Sequence, residues 1–288
     1  MGSRHAYLLG AMALALAGCA KAQANDEQAT EWVTIPAENI LLIDTAKGPV
    51  TVELNPDFAP IHTDRMRALA ASGVLDGERF YRVIEAFVAQ GGLADETKID
   101  AWETIQNEND RAYGGEGYAP LGNADLFASE VGHIGGFPVG RDSDLGREWL
   151  LHCPGAMAMA RDVDPDSGST EFYIVLDAQR YLDRNLTVFG RVIDGMEHVQ
   201  ALKRGKREIE NGVIQPPEQG DLIERFAVAS DLPVDEQPGW EKMDTASDAF
   251  EAFKTSKRVR EDAFFYRKPP EILDICSFSA PVRRREAE

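Results

Sequence analysis

The chain has few basic residues and few histidines, and each shortage argues against one class of ligand. It carries 30 Lys and Arg against 49 Asp and Glu in 288 residues, a formal net charge of −19. Nucleic acids are bound by clustered cations, so this excess of acid argues against a nucleic-acid partner. The five histidines match no zinc-ligand spacing, and no P-loop or dinucleotide-type glycine motif is found. We therefore predict no nucleic-acid partner, no metal and no cofactor.

Long apolar runs are also scarce, and the run at the N-terminus is too short to span a bilayer. It covers residues 6–18, follows Arg4 and His5, and ends in Leu-Ala-Gly-Cys at Cys19. A basic start followed by a short apolar core is typical of a secretory signal. Its end resembles the lipobox of bacterial lipoproteins, which implies a signal over residues 1–19, a lipid on Cys19 and a membrane-anchored protein. Cleavage after Ala24 would instead leave a soluble periplasmic protein. Both interpretations predict export to the periplasm.

Cysteine is rare as well, with three in the whole chain. If Cys19 carries lipid, Cys153 and Cys276 remain as an even pair in an oxidising compartment. A bond between them would attach the C-terminal tail to the rest of the chain, with a loop-closure contribution of about 4–5 kcal/mol. Two independent buried thiols are the alternative, and the sequence leaves both open.

Short apolar runs separated by turn residues predict a mainly β protein. The predicted strands cover residues 40–46, 50–54, 80–84, 87–90, 156–160, 172–176, 187–193 and 222–229. Helices are predicted over residues 61–72, where Gly73 follows, and over residues 196–203. Eight short strands with two helices favour a closed β-barrel. Side chains fill a barrel of this size, so a binding site is expected on its outer face.

Three segments lie outside this pattern. The polar residues 20–38 suggest a tether that precedes a domain over residues 39–230. Residues 93–151 are rich in Gly and acid without a strong period, which predicts a long loop insertion with a short hairpin near Ile134–Phe137. Residues 231–288 form a C-terminal extension in which Met243, Phe250 and Phe253 suggest one amphipathic helix. The apolar run 272–278 is expected to pack back on the barrel.

Four segments carry a family resemblance. They are Arg79–Gly92, Pro154–Arg161, Ser169–Ile174, and Leu182-Asp183 followed by Val188–Val192. In this order and spacing they resemble the cyclophilin family of peptidyl-prolyl cis-trans isomerases, over roughly residues 41–229. The resemblance implies an eight-stranded antiparallel barrel capped by two helices, with an active groove outside it. It also implies an isomerase that binds proline-containing segments of unfolded or exported proteins and assists their folding. We expect a monomer.

The resemblance also implies a role for individual residues. Arg82 would donate a hydrogen bond to the prolyl nitrogen in the twisted transition state. Gln90 would bind the substrate backbone and steady Arg82. Phe87, Met159 and Tyr173 would form the proline pocket, with Leu182 on its wall. The backbone of Ala160 and Arg161 would bind the residue before proline.

Several positions depart from the family pattern. Glu171 stands where the family usually has Gln, and a carboxylate beside Arg82 would either orient the guanidinium or reduce its donor power. The other departures are Tyr173 for Phe, Arg161 for Asn, Tyr181 for Trp and Leu186 for His. Two alternatives therefore stay open. One is a catalytically weakened module that binds proline segments or acts as a chaperone. The other is a structural envelope lipoprotein whose tail binds a partner.

Overall fold

The computed structural model describes residues 31–114 and 117–285. The predicted signal, Cys19 and most of the predicted tether lie outside these ranges. In the described part, sixteen strands and four α-helices follow one another. The strands are β1 (Trp32–Ile35), β2 (Ile40–Thr45), β3 (Gly48–Leu54), β4 (Arg79–Val83), β5 (Val88–Gly92), β6 (Arg111–Ala112), β7 (Ala119–Pro120), β8 (Glu130–Ile134), β9 (Phe137–Asp142), β10 (Arg147–Leu150), β11 (Ala156–Met159), β12 (Phe172–Val175), β13 (Val188–Asp194), β14 (Ile223–Val228), β15 (Trp240–Met243) and β16 (Val282–Arg284). The helices are α1 (Pro60–Ser72), α2 (Glu96–Ile99), α3 (Met196–Gln200) and α4 (Asp248–Arg258). None of them is long and apolar enough to cross a membrane.

Eight antiparallel strands form the nearly closed barrel, in the order β14-β2-β3-β13-β11-β12-β5-β4. The two end strands meet across a seam. There the amide of Phe80 donates to the carbonyl of Asp221 (3.0 Å), and the amide of Ile223 donates to that of Glu78 (2.8 Å). These are the eight strands that the sequence predicts, and the barrel is confirmed.

Apolar side chains fill the barrel, and the two predicted helices contribute to the same interior cluster. Met66 and Leu69 of α1 and Val199 of α3 are fully buried in it. Helix α1 begins at Pro60, whose fixed φ suits a first helical position. It ends where Gly73 adopts the left-handed region (φ 65°) and its amide donates to the carbonyl of Ala70 (3.0 Å).

The insertion contains a five-stranded sheet, so the prediction of a loop over residues 93–151 is wrong for the strands between Arg111 and Leu150. Strands β6 to β10 pair antiparallel in the order β6-β10-β9-β8-β7, and the short hairpin predicted near Ile134–Phe137 joins β8 to β9. Close packing between strands explains glycines that suggest a loop. A Cβ on Gly132 would lie 2.4 Å from the carbonyl oxygen of Ala119, and one on Gly140 would lie 2.8 Å from the indole of Trp149. Glycine here permits close strand contacts and does not break the strands.

The tether prediction is also wrong for its last part. Residues 32–35 form β1, which pairs with β15, and β15 pairs in turn with β16. Ile35 is buried against Trp240 and Ile40. The sequence could not show this, because the partner strand lies about two hundred residues further along the chain.

The C-terminal extension contains the expected amphipathic helix, α4, which includes Phe250 and Phe253, whereas Met243 lies in β15. Its apolar run packs on the insertion, and Cys276 and Phe278 also line a small cavity with Ala156 and Val188 of the barrel. Leu273 and Ile275 pack with Leu121, Trp149 and their neighbours in the insertion. Cys153 and Cys276 are joined by a disulfide, with their Cα atoms 4.9 Å apart. We call β1, the insertion sheet β6–β10 and residues 231–285 together the outer layer.

Candidate active site

The edge of the barrel sheet positions Arg82. Arg82 on β4 lies directly opposite Gln90 on β5. Its Nη1 donates to Oε1 of Gln90 (2.8 Å), and its Nε donates to the carbonyl of Asn211 (2.9 Å). The guanidinium carbon is 5.6 Å from the ring centroid of Phe87. The side chain is half-buried and fixed from two sides, so the guanidinium is oriented before any ligand arrives.

Glu171 acts on Arg82 through Gln90. Its Oε2 accepts from Nε2 of Gln90 (2.8 Å) and from the hydroxyl of Tyr81 (2.5 Å). The direct pair with Arg82 that we expected is therefore replaced by a bridge through the amide. A carboxylate only accepts, so the NH₂ of Gln90 turns towards it and the amide oxygen faces Arg82. Burial, and then the charge of Glu171, raise the pKa of Tyr81, which keeps its hydroxyl a donor.

The glycine pair that ends β5 brings Glu171 close. Gly92 has φ +151°, and a Cβ there would lie 2.8 Å from the Cα of Glu171. A larger residue would push the start of β12 away from β5. Gly92 is therefore required by the close approach of β5 to Glu171, which also lets Glu171 reach Gln90.

The outer face of the barrel carries a second apolar cluster. It contains Phe87, Val88, Ala158, Ala160, Tyr173, Leu186 and Val188 from the barrel side, together with Phe137, Val139 and Leu150 of the insertion. Met159, predicted for the proline pocket, is not in this cluster. It belongs to the barrel interior and is 2% exposed. Alternation along β11 explains the error, because Ala158 faces the outer cluster and Met159 must then face inward. Val88 lies on the outer face with Phe87 and Tyr173 instead.

The hydroxyl of Tyr173 is fixed by a chain of polar residues that sequence reasoning missed. Its hydroxyl is 2.9 Å from Nε2 of His152, whose Nδ1 is 3.1 Å from Oδ1 of Asp183. The other oxygen of Asp183 accepts from Nε of Arg180 (2.6 Å). Tyr173 is only 4% exposed, and burial raises its pKa. The sequence signal for His152 is weak: it is an isolated histidine beside Cys153, and its contact is made 21 residues away.

The other predicted site residues contribute unequally. The amide of Ala160 donates to the carbonyl of Glu171 (3.0 Å), so it is used within the sheet. Arg161 folds its guanidinium onto the carbonyl of Asn185 (Nη2 to O, 2.7 Å). Leu182 ends the 3₁₀ turn Arg180–Leu182 and is half-buried.

The open part of the site is a groove of about 440 Å³ on the β4 side. Its lining comprises Arg82, Ile84, Ala86, Phe87, Gln179, Tyr181, Arg207 and Asn211. Tyr181 is 61% exposed, in contrast to Tyr173. The site therefore combines the buried apolar cluster around Tyr173 with an open groove. Arg82 and Phe87 lie at the boundary of the two.

Comparison with known proteins agrees with this geometry. The family described as cyclophilin type peptidyl-prolyl cis-trans isomerase matches residues 40–228. A probable peptidyl-prolyl cis-trans isomerase of Brucella suis is 29% identical over 184 residues, covering 63% of this chain and 80% of that protein. The peptidyl-prolyl cis-trans isomerase cyp18 of Streptomyces antibioticus is 27% identical over 192 residues, covering 63% and 93%.

Among solved structures, the cyclophilin AquaCyp293 from Hirschia baltica is similar with a TM-score of 0.71 and 26% identity. The match covers 89% of this chain and 94% of that one, so it extends well beyond the barrel. The eight-stranded barrel, the arginine beside a phenylalanine on its outer face and the match over residues 40–228 lead to one conclusion. The chain belongs to the cyclophilin type peptidyl-prolyl cis-trans isomerases.

Proposed function

We propose that Arg82 is the catalytic donor of this isomerase. Amide resonance sets a rotation barrier of about 18–20 kcal/mol for the peptide bond. When the bond twists, resonance is lost and the prolyl nitrogen becomes a better hydrogen-bond acceptor. An N–H group held at that nitrogen binds the twisted state more tightly than either planar state, and this difference accelerates rotation. No covalent step and no cofactor is needed.

The fixed guanidinium of Arg82 is the observation that carries this proposal. In the described part of the chain, Gln90 and Asn211 take two of the five guanidinium N–H groups. The same side chain lines the open groove beside Phe87. The remaining N–H groups are therefore positioned for a ligand whose proline ring rests near Phe87. A ligand that covers the site also removes water, which strengthens a hydrogen bond from a charged donor.

We place the client chain across the barrel strands. The backbone at Ala160 and Arg161, at the end of β11, would bind the residue before proline, as the family resemblance implies. The amide of Ala160 already donates to the carbonyl of Glu171. The carbonyl of Ala160 and the backbone of Arg161 are therefore the groups that we propose to bind the client backbone. Gln90 would contact the substrate backbone while it steadies Arg82.

We also propose that the protein works outside the cytoplasm on exported clients, anchored through a lipid on Cys19. The short apolar run that ends at Cys19 supports this, and so does the disulfide, because disulfides persist in oxidising compartments. Cys19→Ser should move the protein from the membrane fraction to the soluble periplasm. An unchanged membrane fraction would contradict the lipid anchor.

A second candidate function is binding of proline segments with little turnover. The burial of Tyr173 favours it, since a 4% exposed ring offers a proline ring only a small contact area. Such a module would protect unfolded clients from aggregation while accelerating isomerisation only slightly.

The deciding experiment measures the cis-to-trans rate of a short Ala-Pro-Phe peptide with the full-length protein and with Arg82→Ala. Loss of one preorganised donor should lower kcat/KM by about 100- to 1000-fold. Arg225→Ala is the matched control. It removes an arginine from β14, where Arg225 pairs with Asp44 at the surface, and should leave the rate unchanged.

The outcome separates the two functions. If the folded wild-type protein does not accelerate the reaction but still prevents aggregation of a refolding client, the site binds and does not catalyse. If Arg82→Ala keeps the wild-type rate, another group supplies the donor and the assignment to Arg82 is wrong.

A further inference from the structure

The open groove is cationic although the protein as a whole is strongly acidic. The guanidinium carbons of Arg82 and Arg207 lie 5.6 and 5.8 Å from the ring centroid of Phe87. Both arginines line the groove, and no carboxylate residue is among its lining residues. In a chain with a net charge of −19, this concentration of positive charge at the site is a local exception.

Among the cations of its segment, Arg207 alone combines a place in the groove with the lack of an ion-pair partner in the described part of the chain. Lys203, Arg204, Lys206 and Arg207 follow one another with one glycine between them. Arg204 pairs with Glu85 (2.7 Å) and Lys203 pairs with Glu218 (3.0 Å). Arg207 is exposed and makes no ion pair with any residue in the described part of the chain. Its charge is therefore available to a ligand in the groove.

The order of strands fixes which part of a client reaches Arg207. Across the outer face the order is β11, β12, β5 and β4. If the residue before proline pairs at the end of β11, the proline lies over β12 and β5, where Tyr173 and Val88 are. The chain after the proline then runs past Arg82 on β4 into the groove with Arg207.

We propose that this groove selects proline segments that carry an acidic side chain one or two residues after the proline. The inference rests on the proposed function only for the direction in which the client lies. A carboxylate there would face Arg207 and the free side of Arg82 over the ring of Phe87. A client with a basic residue at this point would meet two like charges instead.

The experiment compares two peptides, Ala-Ala-Pro-Glu-Glu-Ala and Ala-Ala-Pro-Gln-Gln-Ala, with the full-length protein. Exchange spectroscopy by NMR gives the isomerisation rate, and titration of the same samples gives the dissociation constant. The glutamate peptide should be preferred by about two- to fivefold in both, the range of a partly exposed ion pair. The preference should shrink in high salt, because exposed charges are screened.

Three comparisons identify the cause. Arg207→Gln should reduce the glutamate-to-glutamine ratio to near one. Lys206→Gln removes the same charge one residue away and should keep the wild-type ratio. A third peptide, Glu-Glu-Ala-Pro-Ala-Ala, places the acid before the proline, and its affinity should not depend on Arg207.

Equal affinities of the wild-type protein for the two peptides would overturn the inference, and so would a preference that survives Arg207→Gln. A preference in binding without acceleration of either peptide would support the inference while contradicting catalysis by Arg82. The two proposals can therefore fail separately.

Discussion

The barrel and the outer layer are stabilised by different interactions. Inside the barrel, large apolar side chains such as Phe80, Phe172 and Phe226 are almost fully buried, and the rings of Phe80 and Phe172 meet edge to face at 5.8 Å. The outer layer also packs apolar side chains such as Phe137 and Val139 on the barrel, but it adds buried ion pairs and a disulfide to this contact. Buried Glu53 on β3 accepts from Nε of Arg191 on β13 (2.9 Å) and from Nζ of Lys242 in the extension (2.5 Å).

The same cluster reaches the insertion, because Nη1 of Arg191 donates to the carbonyl of Gly136 (2.6 Å). The disulfide fixes the extension at a second point, to Cys153 in the segment between β10 and β11. Apolar burial is non-directional, whereas an ion cluster and a disulfide each fix one geometry. The barrel thus provides the framework that carries Arg82, and the outer layer covers its outer face with side chains such as Phe137 and Val139.

The largest effect should follow removal of the disulfide. The double variant Cys153→Ala/Cys276→Ala opens a loop with a sequence separation of 123 residues, for which loop-closure entropy gives about 4–5 kcal/mol. We expect the outer layer to lose most of this stability, so chemical denaturation should change from one transition to two. Hydrogen exchange in β6–β10 should then be faster than in the barrel strands. A single transition at the wild-type midpoint would show that the layers do not depend on the bond.

The next largest effect tests the ion cluster. Glu53→Gln leaves Arg191 and Lys242 without their carboxylate in a site where Glu53 is 2% exposed, and should lower the free energy of unfolding by about 3–5 kcal/mol. Asp44→Asn is the control, since it removes a barrel carboxylate paired with Arg225 at the surface and should cost below about 1 kcal/mol. Equal losses for the two variants would mean that the buried cluster is no stronger than a surface pair.

A smaller effect depends on pH and should be confined to the outer layer. His133 on β8 is fully buried against Phe250 and Phe278, and neither ring nitrogen has a hydrogen-bond partner in the described part of the chain. Burial, with smaller contributions from Arg191 and Lys254, lowers its pKa to about 3. An unfolded histidine titrates near pH 6.5, so the unfolded state takes up the proton first.

The stability from neutral His133 is therefore complete above about pH 6.5 and falls as the pH drops towards 3, by up to about 1.4 kcal/mol per pH unit. At pH 5 the loss should be about 2 kcal/mol. His133→Leu should flatten this part of the stability profile measured by denaturation at pH 7, 6 and 5. An equal slope in the variant would assign the effect to other groups.

The smallest effect concerns Glu171, which lies on the barrel but controls Gln90. In Glu171→Gln the new amide can present either its oxygen or its NH₂, so Gln90 loses its fixed orientation towards Arg82. We expect kcat/KM for a proline peptide to fall by about two- to fivefold, the effect of one weakened neutral hydrogen bond. A rise in kcat/KM would show instead that the carboxylate restrains the donor power of Arg82.

Much of the barrel follows from the sequence because its signals are local. Alternating apolar residues and turn residues gave all eight strands, and Gly73 marked the end of α1. Arg82 and Gln90 could be brought together because they lie on adjacent strands of one hairpin. Met159 was misplaced because the side of β11 that faces outward depends on how that strand pairs with β12 and β13, which residue type alone does not reveal.

The sequence by itself determined the barrel strands, the C-terminal end of α1 (but not that of α3, predicted at residue 203 and found at Gln200) and the spacing that puts Arg82 near Phe87. Each of these depends on residues a few positions apart, where steric and hydrogen-bonding preferences act directly. Only the tertiary structure decided that the insertion is a sheet, that β1 pairs with β15, that His152 supports Tyr173 and that Arg207 shares a groove with Arg82. Apart from the local hairpins β8–β9 and β9–β10 of the insertion, those contacts join residues tens to hundreds of positions apart. Their free energy arises only after the barrel has brought the distant segments together.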